Sequence, residues 1–332
     1  MTIQEKIYGS LIAAAAGDAM GAATETRSRR QILDKFGGEV TELRQPGPDV
    51  FAHGFPLGSV TDDFSLAYQT ARAIIADQGV VTAATARRAL LKWARTPYAA
   101  LGGPTTTAAI QKLKKRQPPK ADWQPAVDNS KATNGGAMKI APAGLASGGD
   151  IDKAVRSAVI LCAPTHGNSS ALSAACAVAA AAAAGLKEDA TLDSVIQAGI
   201  YGSQIGACCG TPLAVPSVTR RIQLALQIVD QAGGDREKVM TDLAEVVGCG
   251  LAAYEAVPTA FGILQACQGD PWEAVVMGVN IGNDTDTIAT IAGAIAGALN
   301  GPDPRIAALV PQIEQANHFD LAGLARALAQ LP

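Results

Sequence analysis

Apolar positions recur at three- and four-residue spacing along most of this chain, and Gly, Pro or Asn breaks the pattern at intervals. The spacing predicts a helix over Ile3 to Gly17, another after Ser28, a third from Asp62 through FSLAYQTARAIIADQG and a fourth on AATARRALLKWAR. Further helices are expected on the Ala171 to Leu186 run, over Ser217 to Ala232, from near Arg236, and through AYEAVPTAFGILQACQG. In the last core helix Gly293 and Gly297 stand four apart, on one face, and would let another backbone come close. Alternating strand patterns are nearly absent. Two stretches have no helical period. One, Phe36 to Val60, reads as a long loop that delivers the chain to Thr61; the other, from Arg116 through Pro118-Pro119 and Asp128 to Gly136, resembles a binding loop that re-enters a helix near Ala137. No tandem repeat and no linker-like composition divides the chain. One compact all-α domain over 1–332 is the expectation.

Composition sharpens this picture in two ways. The chain is 48% hydrophobic but only 4% aromatic, so Ala and medium aliphatics must do the packing, and Ala is the best helix former. A formal charge of -3 supplies no basic field, which argues against nucleic acid or an anionic membrane surface as partner. The run from Ala171 to Leu186 is too weakly apolar, and lacks flanking aromatics, to read as a membrane span. Six cysteines without a C-x-x-C pattern read as buried free thiols. The N-terminus carries an acid before its apolar run and another soon after it, so it reads as the first core helix of a cytoplasmic protein rather than a signal peptide.

The chemistry concentrates in two short acidic clusters. Thr61-Asp62-Asp63 and Asp284-Thr285-Asp286-Thr287 lie far apart, and each runs straight into an apolar helical stretch. Capping and helix-dipole complementarity would explain either one singly. They do not explain four carboxylates so arranged, because like charges packed together repel unless a cation relieves them. An oxygen-only set of carboxylates and hydroxyls suits Mg²⁺ or Mn²⁺ rather than zinc or copper.

Three further features accompany these clusters. GDAMGAATE ends the first helix with small residues and then presents Glu25. Asn134-Gly135-Gly136-Ala137-Met138 forms a Gly-rich turn before a helix, where free backbone N–H groups could receive an anion or sugar oxygens. Thr165-His166-Gly167-Asn168 precedes the Ala-rich helix, and a lone His there is more often a cap or a core hydrogen-bonding residue than a catalyst.

With GDAMGAATE, SVTDDFSLA, NGGAMKIAP, THGN and NIGNDTDTIATIAGAIAG in that order over nearly the whole length, the chain resembles the ADP-ribosylglycohydrolase family. The resemblance implies a compact orthogonal multi-helix fold with two divalent cations, Mg²⁺ or Mn²⁺, in a central cleft. It also implies hydrolysis of a glycosidic bond at C1 of a ribose, with an ADP-ribosylated or smaller ribosyl compound as substrate. It places metal ligands on Thr61, Asp62, Asp63, Asp284, Asp286 and Thr287. Glu25 falls where the family has an acid/base or a gate over the metals, with Asp62 or Asp63 as the alternative base. Substrate contacts are implied at Asn134, Gly135, Gly136 and Met138, and His166 falls where the family contacts substrate or supports the cleft.

Two departures from the family pattern stand out. Gly282-Asn283 replaces paired glycines, and Ser130-Lys131-Ala132-Thr133 replaces a Gly-Ser-rich diphosphate cradle. A β-branched Thr133 does not take positive φ cheaply, so another loop path is expected. The basic run Lys112 to Lys120 reads as a solvated turn rather than a phosphate site. These departures keep a nucleoside-type N-ribosidase open as a second enzyme reading. A non-catalytic member would be marked by lost ligands, and all six positions are filled.

Overall fold

The computed structural model describes residues 1–114 and 127–332. Most of the basic run and the Pro118-Pro119 turn therefore lie outside the described residues. In chain order the helices are α1 (Ile3–Gly21), α2 (Arg29–Phe36), α3 (Asp62–Ala76), α4 (Ala83–Trp93), α5 (Pro104–Leu113) and α6 (Ala141–Leu145). Then come α7 (Ile151–His166), α8 (Ser169–Gly185), α9 (Leu192–Ala207), α10 (Val218–Ala232), α11 (Arg236–Asp242) and α12 (Ala253–Ala266). The last are α13 (Pro271–Asn280), α14 (Thr285–Asn300), α15 (Pro304–Ala307), α16 (Val310–Asn317) and α17 (Leu321–Ala329). The described residues form no sheet, only three isolated bridges. The fold is all-α, as the sequence pattern requires.

Three helices make the centre. Residues Ser170 to Gly185 of α8 and Thr285 to Leu299 of α14 are all buried, and α1 is buried over nearly all of Lys6 to Gly21. Helices apolar on every side belong inside a protein, and these three are. Small residues set how closely α1 and α14 approach. A Cβ added at Gly17 would lie 2.6 Å from the Ala289 carbonyl carbon, and one at Gly293 would lie 2.7 Å from the Ala13 oxygen. Gly297 is as tight, 2.7 Å from the Ser10 nitrogen. The close approach expected at Gly293 and Gly297 is thus found, with α1 as the partner.

Several boundaries differ from the sequence reading. The first helix runs on through Gly17 to Gly21, because Gly17 serves packing against α14 rather than a turn. The chain re-enters a helix at Ala141, not near Ala137; Asn134–Gly136 is a single 3-10 turn. Of the six cysteines, all free, Cys162 and Cys176 are buried while Cys208 is exposed at the end of α9. No helix among the described residues is long and apolar enough to cross a membrane.

Candidate active site

The N-terminus of α3 is held from α1. Asp18, fully buried, accepts the Thr61 N–H at 2.8 Å through Oδ1 and the Phe64 N–H at 2.7 Å through Oδ2. A carboxylate on first-turn N–H groups satisfies donors that the helix leaves open and complements its dipole. The Thr61 hydroxyl accepts the Asp63 N–H at 3.3 Å, completing the cap. Asp62 and Asp63 are therefore not needed for capping. The backbone of Gly103 reaches the Asp62 carboxylate from the start of α5.

The second cluster is arranged differently. Asp284 occupies the cap position of α14, yet its side chain accepts no backbone bond there. It instead takes a hydrogen bond from Asn134 Nδ2, and the Thr287 side chain also reaches it. Thr285 faces the other way: its hydroxyl donates to the Gly21 carbonyl at 3.1 Å and accepts from Thr24 at 2.9 Å, which locks α14 to the end of α1.

Glu25 is carried to this cluster by the turn that follows α1. Thr26 takes positive φ (69°), and its N–H donates to the Asn283 carbonyl at 2.7 Å; the Asn283 N–H returns a bond of 2.7 Å to Arg27. Asn283, also at positive φ (58°), tolerates that conformation better than most side chains, which accounts for the missing second glycine. Arg27, buried, donates to the carbonyls of Ala23 and Glu25 and pairs with Asp49. The turn is thereby fixed from both sides. Carboxylate oxygens of Glu25, Asp284 and Asp286 fall within 4.8 Å of one another.

The two clusters meet at Asp286. Its charge acts on Asp18, Glu25, Asp62, Asp63 and Asp284, and the Thr61 side chain lies near enough to its carboxylate to lower its pKa. Burial first, and Asp286 next, push the carboxyls of Asp62, Asp63 and Asp284 well above the usual range. By the same causes Glu25 is pushed up to about 10 and Asp18 to about 7. Two buried carboxylate oxygens, Oδ2 of Asp63 and Oδ1 of Asp286, have no hydrogen-bond partner among the described residues. One comes from each cluster. Unpartnered buried carboxylate oxygens are expensive, and an oxygen-only donor set crowded this way suits a hard divalent cation. The residues present fit such an ion.

The other residues singled out in the sequence lie on the 133–138 segment and at the end of α7. Asn134 donates its backbone N–H to the Leu251 carbonyl at 3.0 Å, and Thr133 pairs with Ala252, so this segment is tied to the start of α12. The N–H groups of Ala137 and Met138 both donate to the Asn134 carbonyl, at 2.7 and 3.2 Å. His166 lies beneath the turn: a Cβ on Gly135 would come 2.9 Å from its ring. Its Nδ1 meets the Thr165 hydroxyl at 2.8 Å and its Nε2 meets that of Thr133 at 3.1 Å. Burial lowers its pKa to about 3, so the ring is neutral at ordinary pH. Met138 is buried and lines a small void together with residues of α1, α3, α6, α8 and α14. Of this group, Asn134 touches an acidic-cluster side chain.

Sequence reasoning passed over Asp18, although it stands inside GDAMG. The available signal was a lone acid in an otherwise apolar, alanine-rich helix, which must find buried donors.

An all-α chain that buries carboxylates from both ends of its sequence around one point defines the class of protein. A sequence model of the family described as ADP-ribosylglycohydrolase matches residues 1–332. The chain belongs to that family and is a glycosidic hydrolase of it. It is similar to the uncharacterized protein YegU of Escherichia coli K12, 31% identical over 98% of this chain and 97% of that one. It is also similar to the ADP-ribosylhydrolase ARH3 of Bos taurus, 28% identical over 89% and 85% of the two chains. ARH3 of Homo sapiens is 29% identical over 73% and 71%. A solved structure called an ADP-ribosylglycohydrolase-related protein complex superposes with a TM-score of 0.68 at 25% identity, over 99% of this chain and 98% of that one.

Proposed function

We propose that this chain, acting as one unit over 1–332, is a divalent-metal-dependent glycohydrolase that cleaves the bond at C1 of a ribose in an ADP-ribosylated or related ribosyl substrate. The observation that carries the metal dependence is the pair of orphaned buried oxygens, Asp63 Oδ2 and Asp286 Oδ1, one from each acidic cluster. Thr61, Asp62, Asp63, Asp284, Asp286 and Thr287 would hold two cations, Mg²⁺ or Mn²⁺. Bound there, the cations would supply Lewis-acid polarisation and orient the ribose hydroxyls. The rest of the chemistry belongs to the chain.

Cleavage at an anomeric carbon passes through an oxocarbenium-like state, which the surrounding carboxylates stabilise. Glu25 lies beside the carboxylates of Asp284 and Asp286, is held by the Thr26–Asn283 pairing, and is the group we assign to move the proton between the leaving atom and water. Asp62, half-buried and outside the cap, is the alternative base toward water. Asn134 orients Asp284, and Gly135 and Gly136 let the turn pack directly on the His166 ring. The six free thiols accord with a reducing, cytoplasmic setting.

A second reading, hydrolysis of simple nucleosides, draws on the cradle. Thr133 is extended (φ -88°, ψ 159°) and tied to Ala252, and Lys131 pairs with Asp128 at 3.5 Å, so this segment offers no glycine nest and no uncommitted lysine to a diphosphate. One comparison tests both readings. Turnover is measured on ADP-ribosylated arginine and serine peptides and on a nucleoside panel, with Mg²⁺ or Mn²⁺ and with EDTA, for the native chain and for Glu25→Gln. Metal-dependent hydrolysis, nearly lost in a Glu25→Gln variant whose calorimetric metal affinity is retained, is the expected result. Full activity in EDTA would refute the metal role, and near-normal turnover by the variant would move the proton transfer to Asp62.

A further inference from the structure

A cavity among the described residues lies along α3, between the 54–59 loop, the turn at Pro97–Ala100 and the end of α16. Its volume is about 460 Å³, within the range of small-molecule sites. Nothing in the proposed hydrolysis uses it. Two aromatic pairs line it: Phe55 with Tyr98, centroids 5.9 Å apart and 27° between planes, and Tyr68 with Phe319, 4.1 Å and 19°. Near-parallel rings on a cavity wall present flat π-faces, which a planar ligand can stack upon.

The charge of the lining is one-sided. Arg72, exposed on α3, places its guanidinium 5.9 Å from the Tyr68 centroid, and none of the described lining residues is acidic. A guanidinium at the mouth of an apolar pocket recognises carboxylate or phosphate with directed hydrogen bonds.

The floor is rigid. Asn317, buried, accepts from Val60 N–H at 3.0 Å and from the Tyr98 hydroxyl at 2.7 Å, while its own Nδ2 donates to the carbonyls of Gly58 and Ile313 at 2.9 and 2.7 Å. Every polar atom of that amide is used internally. The floor therefore holds its shape without a ligand, which lowers the ordering cost of binding. Burial of Tyr98 pushes its hydroxyl up to about 12, so it stays a neutral donor.

We propose that this cavity is a second ligand site, for a small planar aromatic compound bearing an anionic group, with the ring among Phe55, Tyr68, Tyr98 and Phe319 and the anion on Arg72. The test titrates phenyl phosphate, phenol and inorganic phosphate into the full chain by calorimetry. Phenyl phosphate is expected to bind saturably and more tightly than either fragment. Arg72→Gln should weaken it at least about tenfold, the scale of one charged hydrogen bond, while leaving phenol unchanged. Gln69→Trp, placed on the half-buried wall, should fill the cavity and abolish binding. If that variant misfolds by circular dichroism, Arg72→Gln alone decides. Asp286→Asn should leave phenyl phosphate binding intact. No saturable binding, equal affinity for inorganic phosphate, indifference to Arg72→Gln, or loss confined to Asp286→Asn, which would put the ligand in the acidic cleft, would each overturn the proposal.

Discussion

Gly21 is the point where packing and chemistry cannot be separated. A Cβ there would lie 2.6 Å from the Asp286 nitrogen and 2.9 Å from the Thr285 carbonyl carbon, both backbone atoms that no rotamer can move aside. Ordinary carbon contacts begin near 3.5 Å, so Gly21→Ala must push the first turn of α14 away by roughly 1 Å. Overpacking of that kind costs about 1–3 kcal/mol. With an unfolding entropy of about 2.1 cal/mol/K per residue, a chain of this length should lose roughly 1.5–4 °C in Tm. The functional effect should be larger. Asp284, Asp286 and Thr287 move with that turn, and a misplacement of about 1 Å in a catalytic constellation can lower turnover on the order of 100-fold.

The control lies further along the same helix pair. Gly297→Ala puts a Cβ 2.7 Å from the Ser10 nitrogen, with comparable strain, but stands eleven residues from Asp286, roughly 16 Å along the helix. It should lose similar Tm and keep metal affinity and turnover. Calorimetric Mg²⁺ or Mn²⁺ titration, thermal melts and turnover on both variants make the comparison. If both lost turnover equally, or if Gly21→Ala titrated metal like the native chain, the claim that this contact sets the second cluster's position would be wrong.

Asp18→Ala strands the Thr61 and Phe64 N–H groups and should cost roughly 2–3 kcal/mol, read as a lower Tm; an unchanged melt would show that water replaces the carboxylate. Asn134→Ala frees Asp284 from its hydrogen bond and should weaken metal binding about 10–100-fold with little change in helicity by circular dichroism, an outcome that undiminished affinity would refute. In EDTA, stability should fall as pH rises. Asp18, pushed up to about 7, and Glu25, to about 10, keep protons in the fold that the unfolded chain sheds near pH 4, so their contribution is whole below that and is lost toward those values. His166, lowered to about 3, acts oppositely and removes stability as pH falls below about 6.5. Melts in EDTA from pH 5 to 9 should slope downward and flatten when Mg²⁺ is added, whereas a flat EDTA profile would contradict the crowding of the carboxylates.

The sequence disclosed helices and their contents better than their partners. Spacing sufficed for α3, α8, α10 and α14 because each carries long apolar periodicity with a hydroxyl, amide or carboxylate at its start. It misplaced the end of α1 because Gly17 is a helix breaker by propensity but a packing surface in context. It also put the helix that follows the Asn134-Gly135-Gly136 turn near Ala137, whereas that helix starts at Ala141 after Ile140. Local rules could not resolve either point, since each depends on which backbone lies opposite.

The acidic clusters show the same division at finer grain. Thr61 and Asp284 both looked like caps, and only Thr61 is one. What frees Asp62 and Asp63 from capping is Asp18, forty-three residues upstream of Thr61, whose carboxylate takes over the first-turn donors of α3. What frees Asp284 is Asn134, 150 residues away, which turns the side chain from its own helix toward the cleft. A site that crowds carboxylates needs such relief: helix ends would otherwise bind the acids to backbone N–H groups and leave none for a cation. Placing Asp18 and Asn134 where they are keeps the acidic side chains available, and leaves Asp63 Oδ2 and Asp286 Oδ1 buried with no partner among the described residues.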